Sequence, residues 1–97
     1  MNLDSILGSI QEKAAAAPAL GNTLKFDFGD EKLYIDGTGA KNEVTKDDKD
    51  ADCLMIVSKE NFAALLKGDL NPMTAVMTGK IKIKGDMGVA MKLQSLI

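Results

Sequence analysis

Apolar residues recur along this chain at two spacings, and each spacing predicts a different kind of element. Helical spacing runs through residues 3–17, where Ile6 and Ile10 share one face and Pro18 forbids a further turn. Strict alternation of apolar and polar residues predicts strands, and so does one short run that is apolar on both faces. The predicted strands are residues 23–28, a segment around Leu33 and Ile35, residues 52–57 and residues 80–84.

The segments between these elements carry turn and capping residues. Residues 36–39, Asp-Gly-Thr-Gly, are expected to bend or bulge the second strand, which residues 41–45 would then extend. Ser58 and Asn71 each precede an apolar stripe at helical spacing, so they are predicted to cap two short helices. A last helix is predicted over residues 86–97.

The predicted order is therefore helix, three strands, two short helices, strand and helix. Hairpin-linked strands followed by segregated helices are typical of the α+β class. We predict a single domain over residues 1–97, in which short helices cover one face of a mostly antiparallel sheet and a helix lies at each end of the chain. A chain of this length can bury only a modest core.

Charge and composition argue against nucleic-acid binding, catalysis and metal binding. The net charge of −2 does not indicate the basic surface that nucleic-acid binding requires. There is no histidine, which removes the commonest general base and metal ligand. Cys53 lies in a predicted strand among apolar neighbours, where burial raises the pKa of a thiol and lowers its reactivity. The acidic residues of 47–52 lack the glycine and terminal glutamate of a calcium loop. We therefore expect no enzyme, no cofactor and no metal site.

The sequence also bears on location. The N-terminal residues do not combine basic residues with an apolar core, so no secretory signal is expected. No apolar stretch approaches the roughly 20 residues that span a bilayer. The single cysteine fits a reducing compartment. A cytoplasmic protein is the expectation.

Four stretches of the second half of the chain follow one another in a characteristic order: Gly68-Asp69-Leu70-Asn71-Pro72, Ala75-Val76-Met77, Gly79-Lys80-Ile81-Lys82-Ile83, and Gly85-Asp86-Met87 with Ala90-Met91-Lys92-Leu93. In these stretches the chain resembles the sterol carrier protein 2 (SCP-2) family of lipid-binding domains. The resemblance implies a fold covering roughly residues 3–97. It also implies a non-catalytic carrier, with a tunnel between sheet and helices that accepts fatty acids, acyl-CoA esters or sterols.

If that implication holds, the tunnel is lined by apolar residues that periodicity places on the inner face of the sheet and on the covering helices. Periodicity shows only that these residues face inward and by itself favours a filled core; that alternative stays open beside the tunnel that the resemblance implies. Methionine is prominent among the candidates and adapts to varied apolar partners. The candidate lining residues are Phe26, Phe28, Leu33, Ile35, Met55, Phe62, Leu66, Met73, Val76, Met77, Ile81, Ile83, Met87 and Met91.

Other surfaces of the predicted fold suggest contacts with a second protein chain, with a ligand phosphate or with a membrane. The resemblance implies a register in which Cys53, Met55 and Val57 face the helices, so that Leu54 and Ile56 occupy the other face of the strand. An apolar pair there needs a cover, which is either a neighbouring loop or a homodimer contact. The chain could then be a dimerisation module, or an accessory piece of an enzyme complex, that binds no lipid. Lys80, Lys82 and Lys84 of the predicted last strand, with Lys92 of the last helix, are either a solvated face or a contact for an acyl-CoA phosphate. The first helix is neutral to acidic, so membrane contact is expected to be transient at most.

Overall fold

The computed structural model describes residues 3–92. Its elements follow in the order α1 (Leu3–Ala16), β1 (Thr23–Asp27), β2 (Lys32–Asp36), β3 (Glu43–Thr45), β4 (Cys53–Val57), α2 (Lys59–Lys67), α3 (Pro72–Met77), β5 (Ile81–Gly85) and α4 (Met87–Lys92). The predicted helices and strands are all present. The rest of the predicted last helix, residues 93–97, lies outside the described residues.

The five strands form one sheet in the order β3-β2-β1-β4-β5. Neighbouring strands are antiparallel except for β1 and β4, which are parallel. The register aligns alternate apolar residues on one face: Phe26 of β1 lies opposite Leu33 of β2 and Met55 of β4. All three side chains are buried. The structure therefore confirms an α+β fold with a mostly antiparallel sheet.

Residues 41–45 do not extend the second strand, as the sequence led us to expect. They contain a separate strand, β3, which pairs antiparallel with β2, so four strands precede α2 rather than three. The chain reverses between Asp36 and Glu43, which lie opposite each other in the antiparallel pair of β2 and β3. Gly37 follows β2 directly, and a Cβ atom there would lie 2.8 Å from the backbone nitrogen of Leu20 and 2.6 Å from Oδ1 of Asn42. Such close contacts admit only glycine.

The helices end where side chains and glycine satisfy their free backbone groups. Ser58 caps α2, because its Oγ accepts a hydrogen bond from the N–H of Asn61 at 3.1 Å. Gly68 ends that helix in the left-handed conformation, with φ of 80°. Asn71 caps α3 by accepting from the N–H of Met73 at 2.9 Å. These predicted caps are confirmed.

Beneath α1 and α2 the interior is filled. Ile6 and Ile10 of α1 are fully buried in the main hydrophobic core. Three aromatic rings pack against one another: the ring centroid of Phe62 in α2 lies 4.7 Å from that of Phe26 and 5.4 Å from that of Phe28. Tilted aromatic pairs at these distances are favourable. This half of the inner face has the packing of an ordinary core.

The charged loop between β3 and β4 is exposed, as predicted, but it is held against the outer face of the sheet. Asp48 forms an ion pair with Lys25 of β1 at 2.8 Å, and the ammonium group of Lys49 lies 5.6 Å from the ring centroid of Tyr34. The Lys25 pair raises the pKa of the lysine above its ordinary value, chiefly through the hydrogen bond to Asp48. The loop thereby covers part of the face that the helices leave open.

Candidate functional site

An apolar cleft opens between α3 and α4, above the edge strand β5. Its volume is about 200 Å³. Met55 of β4 and Ile81 of β5, both buried, lie on the sheet side of it. All the lining residues that the structure describes have apolar side chains: Met55, Pro72, Met73, Val76, Met77, Ile81, Ile83, Met87, Ala90 and Met91.

Two pairs of methionines border this cleft, one pair on each helix. Met73 and Met77 lie four residues apart on α3, and Met87 and Met91 lie four residues apart on α4. Residues at this spacing share a helix face. We call these four residues the rim methionines.

Backbone hydrogen bonds hold the two short helices in place beside the cleft. At the end of α3, the N–H of Lys80 donates to the carbonyl of Ala75 at 2.8 Å. At the start of α4, the N–H of Asp86 donates to the carbonyl of Asp52 at 2.9 Å, and the Asp86 carboxylate accepts from the N–H of Gly88 at 2.8 Å. The Asp86–Asp52 bond thus ties the start of α4 to the residue before β4, and the other two bonds close the ends of their own helices. None of the three bonds involves a rim methionine.

The structure departs from the expectation that these methionines face inward. The exposed fractions are 57% for Met73, 83% for Met77, 54% for Met87 and 68% for Met91, against 2% for Met55. Val76, also expected inside, is exposed as well. The physical reason is that α3 and α4 are short and bury little of themselves. In the described part of these helices, the buried residues are Ala75, Val89 and Ala90.

The predicted lining residues divide between the cleft and the filled core. The structure brings eight of them together around the cleft: Met55, Met73, Val76, Met77, Ile81, Ile83, Met87 and Met91. It places the other six away from that lining, in or against the packed core: Phe26, Phe28, Leu33, Ile35, Phe62 and Leu66. Two cleft residues, Pro72 and Ala90, were missed. The sequence predicts a helix start at Pro72 and a core position at Ala90, so neither was considered for the lining. The one available signal is that each is adjacent in sequence to a rim methionine.

A second depression, of about 530 Å³, lies over the connection from α2 to α3. It is larger but shallower, and Lys67 and Asn71 contribute to a lining of mixed polarity. An open surface of mixed polarity excludes water poorly, whereas ligand sites are typically concave and mostly apolar. The smaller cleft is therefore the better candidate site.

Reactive groups do not converge on the cleft. Within residues 3–92, no group of three or more His, Cys, Asp or Glu side chains is placed to hold a metal ion. Cys53 is buried, and its burial, assisted by the negative charge of Asp86, raises the pKa of the thiol. The reactive thiolate is accordingly disfavoured.

The lysines considered for a phosphate contact have two different surroundings. Lys82 and Lys84 are exposed, and the alternation of β5 points them away from the face on which Ile81 and Ile83 line the cleft. Lys92 of α4 donates hydrogen bonds to the carbonyl of Leu20 and to Oδ1 of Asn22, each at 2.9 Å, which tie α4 to the loop before β1. The phosphate contact stays a prediction.

Comparison with known proteins identifies the fold and the family. The sequence profile of the SCP-2 sterol transfer family matches residues 3–97. The chain belongs to this family. Sterol carrier protein 2 of Rattus norvegicus is 46% identical over 63 residues, which are 64% of this chain and 12% of the rat protein. The chain thus corresponds to a small part of that relative's length.

Solved SCP-2 structures agree with the architecture. Sterol carrier protein 2 of Yarrowia lipolytica, in its apo form, superposes with a TM-score of 0.69 at 25% identity, over 98% of this chain and 78% of that one. The palmitated SCP2L2 of Aedes aegypti superposes with a TM-score of 0.72 at 22% identity, over 96% of this chain and 91% of that one. This second likeness is one of fold.

Two further surfaces of this SCP-2 domain bear on its partners. Leu54 and Ile56 are half-buried on the outer face, and their cross-strand neighbours include Lys25, Lys82 and Lys84. A homodimer through them stays a prediction. Of the helices the structure describes, none is long and apolar enough to cross a membrane.

Proposed function

We propose that this SCP-2 domain is a non-catalytic lipid carrier, and that the cleft between α3 and α4 takes up the hydrocarbon part of a fatty acid, acyl-CoA or sterol-like ligand. The observation that carries the proposal is the wholly apolar lining of the cleft, drawn from α3, α4, β4 and β5. The family's description as a sterol transfer family and the palmitate carried by the Aedes aegypti relative support the same class of ligand.

The size of the cleft indicates how a ligand would enter. Pockets for small molecules typically span about 300–1,000 Å³, and the cleft, at about 200 Å³, is smaller. Uptake of a long chain therefore requires the lining to yield. Methionine side chains are unbranched and flexible, and the exposed rim methionines can swing aside without opening the packed core under α1 and α2.

The energetics suit reversible transfer. Each buried methylene contributes about 0.8 kcal/mol, so a chain of roughly sixteen carbons gives on the order of 12 kcal/mol before costs. Loss of rigid-body and chain freedom removes several kcal/mol or more. The resulting affinity falls between nanomolar and micromolar. Because the lining offers apolar contacts, chain length should govern affinity more than the head group does.

A matched pair of substitutions on α3 tests the proposal. Val76→Glu places a carboxylate on the lining, whereas Thr74→Glu places one on the same helix outside it. Both positions are exposed, so both variants should fold. Burying a charge in an apolar site is costly, and we expect Val76→Glu to weaken palmitate and hexadecanol binding by roughly tenfold or more. Displacement of a fluorescent fatty acid measures both affinities.

The neutral alcohol separates loss of the cleft from simple repulsion between carboxylates. Thr74→Glu should change both affinities less than about twofold, because exposed substitutions away from a site have small effects. Equal losses in the two variants, or no loss in Val76→Glu, would contradict the assignment of the cleft.

The alternative of a lipid-free dimerisation or accessory module is not favoured by these observations. Leu54 and Ile56, its candidate contact, are half-buried beside lysines rather than forming an open apolar patch. Within the proposal the carrier acts in the cytoplasm, in keeping with the buried free thiol of Cys53.

A further inference from the structure

The exposed thioethers of this domain are concentrated at one place. Of the five methionines in the described residues, the four rim methionines are more than half exposed, and all four border the apolar cleft. The fifth, Met55, lies beneath the same cleft and is 2% exposed. A single small surface thus holds four exposed methionine side chains, and a buried methionine beside it serves as an internal reference.

Accessible thioethers react with peroxides. The sulfur lone pair attacks one oxygen of the peroxide, the O–O bond breaks, and the oxygen is transferred to sulfur. With hydrogen peroxide the sulfur is oxidised by two electrons to a sulfoxide and the peroxide is reduced to water. The product is polar and chiral, and methionine sulfoxide reductases return it to the thioether.

We propose that Met73, Met77, Met87 and Met91 form a peroxide-sensitive modification site, and that their conversion to sulfoxides closes the cleft to apolar chains. This inference rests on the lipid-binding function proposed above. A hydrocarbon chain in the cleft would cover the sulfoxide oxygens that face the cleft and remove those oxygens from water. The described lining residues have apolar side chains and supply no side-chain hydrogen-bond donor in its place.

The expected loss of affinity follows from that desolvation. Burying a polar group without a partner weakens an interaction by about tenfold for each group that the ligand covers. Water can still solvate the sulfoxides of the unliganded protein, because the rim methionines are exposed. The helices are held by the buried Ala75, Val89 and Ala90 instead. Oxidation should therefore weaken binding by at least about tenfold while leaving the fold intact.

The test treats the whole chain with hydrogen peroxide and follows each methionine by peptide mass spectrometry. Palmitate affinity is measured before and after treatment, and again after reduction by methionine sulfoxide reductases. The matched control replaces all four rim methionines with leucine, which has a similar volume and apolarity and cannot form a sulfoxide. The control keeps Met55 and Cys53, so it reports any effect of oxidation at those two residues.

We expect the rim methionines to be oxidised well before Met55, with at least a roughly tenfold loss of palmitate affinity that reductase treatment reverses. The leucine control is compared with itself: its palmitate affinity, whatever its starting value, should change by less than about twofold through the same treatment. Unchanged affinity in a fully sulfoxidised protein, an equal loss in the leucine control, or oxidation of Met55 at the rate of the others would overturn the inference. Failure of the proposed function is separate: the untreated protein would then not bind palmitate at all.

Discussion

Asn42 is the buried polar side chain that joins the end of α1 to the loop before β1, and its removal gives a prediction whose size follows from the structure. The Asn42 side chain makes three hydrogen bonds. Its amide nitrogen donates to the carbonyls of Ala14 at 3.2 Å and Pro18 at 3.1 Å, and its oxygen accepts from the N–H of Leu20 at 2.9 Å. Asn42→Ala removes all three.

The three backbone groups left behind differ in their surroundings. Leu20 is buried, so its N–H finds no water, and an orphaned buried donor costs about 1–3 kcal/mol. The carbonyl of Ala14 still accepts from the N–H of Ala17 at 3.3 Å, and exposed Pro18 can be hydrated. Each of those two bonds is worth about 0.5–1.5 kcal/mol net. The expected loss is about 3 kcal/mol.

A loss of this size is a large part of the 5–15 kcal/mol that stabilises typical domains. It corresponds to a fall in Tm of about 12–24 °C for a domain of this size. Urea denaturation measures the free energy of unfolding directly, and Lys41→Ala is the control. Lys41 is the exposed neighbour in the same loop, and its replacement should change stability by less than about 0.5 kcal/mol. An Asn42→Ala loss below about 1 kcal/mol would refute this reasoning, because the three bonds would then be dispensable.

Three further predictions concern the turns and the last helix. Gly85→Ala should cost about 2 kcal/mol or more in urea denaturation, because φ is 94° and the new Cβ would lie 2.5 Å from the carbonyl oxygen of Asp52. Gly29→Ala, at φ of 98° but with no atom within 4 Å of the Cβ, should cost about 1 kcal/mol, and equal losses would contradict the clash. The hydrogen bond from the Gly29 N–H lowers the pKa of Asp27 below its ordinary value of 3.8, so its stabilisation is complete above that value and is lost as pH falls through the folded pKa. Asp27→Asn should flatten the acid limb of the stability curve, and an unchanged limb would exclude Asp27 as a contributor. Lys92→Ala should speed amide hydrogen exchange in α4 by untying it from the loop before β1, with unaltered exchange as the contrary result.

Local signals in the sequence account for most of the fold. Caps such as Ser58 and Asn71 act within one turn of their helix, so their effect can be read from neighbouring residues. Alternation likewise fixed the buried face of β1, because Leu24 and Phe26 are both fully buried. Periodicity and turn residues predicted the order of the elements, and the resemblance to the SCP-2 family agreed with it. The structure adds one strand, β3, to that order.

The remaining features depend on contacts between residues far apart in the chain. β3 is distinguished from an extension of β2 by its antiparallel pairing with that strand, in which Tyr34 lies opposite Thr45, and no local pattern in the sequence indicates that pairing. The rim methionines are exposed because α3 and α4 are short helices whose contact with the rest of the domain buries Ala75, Val89 and Ala90 instead. Apolar periodicity identifies a stripe on a helix, but a stripe that lines an open cleft has the same spacing as one that enters a core.

The central claim, that an acyl chain occupies the cleft between α3 and α4, is tested most directly by NMR of the protein labelled with carbon-13 at the methionine methyl groups. Methionine-to-leucine variants assign each signal, and palmitate is added stepwise. The account predicts that the signals of Met55 and of the rim methionines shift together and saturate with one affinity. The account would be contradicted if palmitate bound while these signals stayed in place, or if palmitate did not bind at all.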